Sequence, residues 1–134
     1  MPTSAILLLA RIMIAAIFIQ SGYGKLMNPA GATAYIAQNG FPVPQLAYYV
    51  AVAVEFFGGL AFLVGVQTRW VSLALALFTL GAGIGVHYHP DNAGQMIHFM
   101  KNIAIAGGFL SFVVNGAGAL SVDGMLGKGR AATA

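Results

Sequence analysis

The chain has 134 residues, of which 59% are hydrophobic and only 7% charged, and its mean hydropathy is +0.84. A soluble domain carries about 25% charged residues, so this chain cannot cover a water-facing surface, and lipid is the outer solvent it fits. The net charge is +3, and the six basic residues, Arg11, Lys25, Arg69, Lys101, Lys128 and Arg130, are scattered singly and form no patch for nucleic acid.

Four stretches are apolar enough to cross a hydrocarbon core, which needs about 20 residues in a helix. The first spans about 5–24 and contains Arg11. No basic residue precedes it and Lys25 follows it, so it reads as a retained span rather than a cleaved signal peptide. The connection 27–45 opens with Asn28-Pro29, a helix start, and closes with the breaker cluster GFPVP at 40–44. Between them, 32–38 predicts a short interfacial or re-entrant helix.

The second span covers about 46–66 and contains Glu55. The tight hairpin GVQTR joins it to the third, about 70–88, which has no charged residue. Pro90 stops that helix near His89. The fourth covers about 98–118, with Lys101 near its start, and a Gly- and Ala-rich tail, 124–134, is expected to be flexible. The predicted fold is all-α: one integral membrane four-helix bundle over residues 1–123. The positive-inside rule places both termini in the cytoplasm, with Arg69, Lys128 and Arg130 on that side.

Small residues are spaced for close helix packing. Gly81 and Gly85 form GxxxG, and Ala61–Gly65 and Ala104–Gly108 repeat the small-xxx-small pattern. Packing within the bundle is the expected use, and a dimer face is the alternative.

A charge inside the membrane costs about 2.5–3.5 kcal/mol on insertion scales, so each needs a partner or a purpose. Counting along antiparallel helices puts Arg11 about 10 Å and Glu55 about 16 Å from the same side, within reach of an arginine side chain. An Arg11–Glu55 ion pair is therefore expected, either as a register device or as a ligand-binding or protonatable group. A second cluster lies near the other side: Gln20, Ser21 and Lys25 end the first helix, His87 and His89 the third, and His98, Lys101 and Asn102 begin the fourth. It suits an anionic or quinone-like head group, or else interfacial anchoring together with Tyr23, Tyr48, Tyr49 and Tyr88.

The candidate ligand-binding residues are Arg11, Gln20, Lys25, Glu55, His87, Lys101 and Asn102. No metal site is expected. His87 and His89 are two apart and point to different helix faces, and only Asp91 offers a nearby carboxylate. With no cysteine, thiol chemistry and cysteine-held metal or iron–sulfur sites are excluded, so any electrons must come from a bound cofactor or a partner. No catalytic residue is assigned. Phe56, Phe57, Phe62 and Phe78 read as core or lipid-facing.

From about Leu8 to Asp123 the chain resembles the DoxX family. The resemblance is carried by Arg11 followed by IFIQSGYGKL with Gly22 and Lys25, by the connection closing in GFPVP, and by Glu55 with FFGGLAFLVGVQTR. His87, Gly118 and the SVDG around Asp123 complete it. The resemblance implies a bacterial inner-membrane four-helix bundle. Some relatives are associated with thiosulfate:quinone oxidoreductase or with membrane complexes that handle thiol or oxidative stress. It thus implies an accessory or quinone-docking subunit of a membrane redox system. A quinone would be the cofactor, and the lipid bilayer, a redox subunit and a second copy the candidate partners. A small proton or solute transporter and a non-catalytic anchor or assembly factor are the competing readings.

Overall fold

Each of the four apolar stretches folds as a helix long enough to cross a membrane: α1 (Thr3–Met27), α3 (Pro44–Val64), α4 (Thr68–His87) and α5 (Ala93–Asn115). The short α2 (Pro29–Gln38) lies between the first two, and a turn of helix, α6 (Val122–Met125), follows the last. The structure is a computed structural model that describes residues 3–127. Gly124 and Met125 belong to α6, and 128–134 of the expected tail lie outside the described residues.

The chain's own punctuation sets the boundaries. Asn28 Oδ1 accepts the Gly31 N–H, and Pro29 occupies the first turn of α2, where its missing donor costs nothing. Gly65 ends α3 in the left-handed region at φ +73°, and Gln67 follows at φ +47°. Asn92 caps α5 by accepting the Gln95 N–H, so this helix starts at Ala93, five residues before the expected 98. It ends at Asn115 because Gly116 breaks it at φ +71°.

The core joins all four long helices. Phe62 and Phe109 are fully buried, and Phe18 and Phe112 close edge-to-face contacts around them at centroid distances of 4.9–5.2 Å. Ala15, Leu75, Ala76 and Ala106 fill the gaps. Met13, Phe57, Trp70, Leu77 and Val114 face outward, as a lipid-solvated surface requires. At the α1–α3 crossing a Cβ on Gly22 would lie 2.5 Å from the Phe56 nitrogen, so the two backbones touch there. The GxxxG pair of α4 serves differently from expectation. A Cβ on Gly81 would meet nothing within 4 Å, and Gly85 receives the ring of Phe41 from the α2–α3 connection.

The expected Arg11–Glu55 ion pair does not form. Arg11 is fully buried at the end of the bundle where α1 begins and α6 lies. Its Nη1 donates to the Leu63 carbonyl at 2.9 Å, and its Nη2 donates to the Leu120 carbonyl. Asp123 supplies the opposing charge. That carboxylate also accepts the Gln67 and Thr68 N–H groups at 2.9 and 2.8 Å, and its own N–H donates to the Gly65 carbonyl. The step in helix heights explains the difference. Gly65 lies against Arg11, Gly59 against Phe18 and Ile19, and Gly22 against Phe56, so Glu55 is level with the far end of α1. Arg11 and Lys25 are then about 21 Å apart along α1. Counting from the helix ends assumed that α1 and α3 begin and finish at one height. Instead α1 extends about two turns past α3, and the segment leading to α6 folds back into that step, with Gly118 against Leu7.

Candidate functional site

At the opposite end, beneath α2, the four long helices part around a cavity of about 620 Å³, within the range that takes a drug-sized or cofactor-sized ligand. Ile17, Phe18, Val50, Phe78 and Ile105 form its apolar wall, and Tyr35, Ile36 and Phe41 reach it from α2 and the connection behind it. The polar wall comprises Ser21, Lys25, Glu55, His87, His98, Lys101 and Asn102.

Glu55 is held by two partners from α1. Lys25 Nζ lies 2.8 Å from Glu55 Oε2, and the Ser21 hydroxyl donates to Glu55 Oε1 at 2.9 Å. Lys25 also donates to Ser21 Oγ at 2.9 Å, closing a triangle across the α1–α3 seam. Lys25 and Ser21 are one helical turn apart, which is why both reach one carboxylate. The pair satisfies two charges that would each be costly alone at this depth.

Backbone irregularity aims two of these groups. α3 opens into a π turn over Ala53–Gly58, which contains Glu55, and α4 ends in one over Gly83–His87. Such turns insert a residue into the helical register and recur at functional sites. The second brings His87 to within 5.3 Å of His98, centroid to centroid, at a tilt of 35°. His87 Nδ1 is 2.8 Å from Gln95 Oε1, so the neutral ring carries its proton there and leaves Nε2 as an acceptor. Asn102 packs against Gly83, where a Cβ would lie 3.2 Å from its own Cβ. A smaller polar cleft, lined by His89, Asp91 and Gln95, adjoins the cavity and shares Tyr35 and Val86 with it.

Of the seven residues singled out from sequence, Lys25, Glu55, His87, Lys101 and Asn102 come together here. Arg11 and Gln20 do not. Arg11 is sealed into the terminal end by backbone carbonyls, and Gln20 points outward on the exposed face of α1. Among the described residues no group of three metal-ligating side chains forms. The sequence reading did not place Tyr35 and Phe41 at the site. The available signal was the aromatic residue in GFPVP matched to a glycine, Gly85, that leaves room for it.

The DoxX family model matches residues 6–88, which hold α1 through His87 and so most of the cavity wall. The chain belongs to the DoxX family. Among DoxX relatives, inner membrane protein YphA of Escherichia coli K12 is 37% identical over 123 residues, covering 88% of this chain and 88% of YphA. Inner membrane protein YqjF of the same organism is 39% identical over 121 residues, covering 90% of this chain and 92% of YqjF. No solved structure is significantly similar. This DoxX protein is thus a multi-pass inner membrane protein, and its four long apolar helices agree with that placement.

Proposed function

We propose that this DoxX protein is a quinone-docking accessory subunit of a membrane redox system. One observation carries the reading: a cavity of about 620 Å³ in the spanning bundle has an apolar wall facing a polar wall built from Lys25–Glu55, His87, His98, Lys101 and Asn102. A quinone has that same division. Its ring carbonyls accept hydrogen bonds from Lys101 and the Asn102 amide, and its apolar tail lies along Phe18, Phe78 and Ile105. Quinone reduction takes up protons with electrons, and Glu55 and the free Nε2 of His87 are groups able to carry them. The electrons come from a partner, because the chain has no cysteine and no catalytic motif of its own. By the positive-inside rule Arg69 and the termini face the cytoplasm, which sets the cavity near the outer side.

Calorimetric titration of the purified protein with the short-chain quinone ubiquinone-1 tests this. Saturable binding is expected, with Asn102→Ala weakening it about tenfold, or about 1.4 kcal/mol. Absence of saturable binding to the wild-type protein, or an unchanged affinity in Asn102→Ala, overturns the reading.

A further inference from the structure

The cavity's charges do not balance. Lys25, Glu55 and Lys101 are its charged lining residues, and Lys25 and Glu55 neutralise one another at 2.8 Å. Lys101 makes no hydrogen bond and no ion pair with any described residue. The other nearby carboxylate, Asp91, lines the adjoining cleft and not the cavity. With the histidines counted as neutral, the cavity therefore carries one positive charge that no described residue compensates. Lys101 lies eight residues into α5, about 12 Å below the helix start. On the wall of a largely apolar cavity, an ammonium interacts more strongly with a counter-charge than it would in open water.

We propose that the cavity selects an amphipathic ligand bearing a single negative charge, with Lys101 as its counter-ion and the apolar wall holding its body. This rests on the quinone-docking reading and narrows it to an acidic hydroxyquinone or a deprotonated quinol. The same chemistry would serve a fatty carboxylate. The Lys25–Glu55 pair stays intact, because displacing Glu55 from Lys25 and Ser21 would give up two polar contacts to gain one. The Asn102 amide, which makes no hydrogen bond with any described residue and also lies on the cavity wall, adds a neutral donor for the same anion.

The test uses the full chain in uncharged detergent at neutral pH. Three probes are titrated: 2-hydroxy-1,4-naphthoquinone, whose enol is ionised, its neutral 2-methoxy ether, and laurate. Each is measured on wild type and on Lys101→Gln, an exposed position where the substitution keeps the side chain's reach. Thermal unfolding confirms that both proteins are folded. The hydroxyquinone is expected to bind at least about tenfold tighter than its ether. Lys101→Gln is expected to erase that preference, lowering the hydroxyquinone's affinity by at least about tenfold and the ether's by no more than the one Lys101 hydrogen bond it loses. Equal affinity of hydroxyquinone and ether, or a preference that survives Lys101→Gln, overturns the anion inference and leaves the quinone reading standing. Laurate binding that depends on Lys101, with neither quinone bound, upholds the anion inference and overturns the quinone reading. No binding of any probe overturns both.

Discussion

Arg11→Met is expected to destabilise the folded protein by about 3–5 kcal/mol, the cost typical of removing one member of a buried, hydrogen-bonded charge system. Arg11 is fully buried, and the carbonyls of Leu63 and Leu120 depend on it. Methionine fills much of the volume and supplies no donor. The change also removes a positive charge that acts on Asp123, whose carboxylate holds the first amides of α4. Asp123→Asn should cost less, about 1–3 kcal/mol, because the amide oxygen can still accept one of the two N–H groups. Unfolding free energies in mixed detergent–lipid micelles check the order, Arg11→Met worse than Asp123→Asn. A loss below about 1 kcal/mol for Arg11→Met would contradict the buried clasp. Because Arg11 is about 21 Å from Lys25 along α1, the folded fraction of either variant should keep its ubiquinone-1 affinity.

Gly81→Phe is expected to abolish ligand binding while leaving stability nearly unchanged. Gly81 lines the cavity, and a Cβ there meets no atom within 4 Å. A phenyl ring added at this point enters space that a ligand would need, without displacing a packed side chain. Removing a glycine from a helix interior also gains a few tenths of a kcal/mol in propensity, which offsets the lost side-chain freedom. The expected affinity loss exceeds about a hundredfold, about 2.7 kcal/mol. Titration with ubiquinone-1 and a thermal melt on the same sample separate the two quantities. Wild-type affinity in a folded Gly81→Phe protein would place the ligand elsewhere.

The four spans were legible because lipid demands long apolar helices and the chain supplies four of them with few charges. Asn28-Pro29 announced α2 for an equally local reason, the cap and the proline at its first turn. Depth was not legible. The height of Arg11 depends on the segment around Leu120 and Asp123 returning to the bundle from the far end of the chain, and no local pattern records that return. The same holds for Glu55. Its π turn and the step between α1 and α3 are properties of two packed helices, and together they make Lys25 its partner. Lys25, His87, Lys101 and Asn102 were found because polar groups near helix ends of one polarity must fall on one side of the membrane. Gln20 was gathered by the same rule and misplaced by it, since sharing a depth does not mean sharing a helix face. Capping also decided where α5 starts. Asn92 recruits the Gln95 amide, so residues read as a loop lengthen the helix.

Photolabelling in a lipid bilayer tests whether a quinone occupies the polar-walled cavity between the four long helices. An azido-quinone is irradiated with the wild-type protein in lipid nanodiscs, with and without excess ubiquinone-1, and the labelled peptides are sequenced. Competable label is expected on cavity-lining residues such as Ile17, Phe18, Phe78 and Ile105, and none in Gly81→Phe. Competable label confined to outward-facing residues such as Met13, Trp70 or Val114, or label unaffected by Gly81→Phe, would contradict that occupancy.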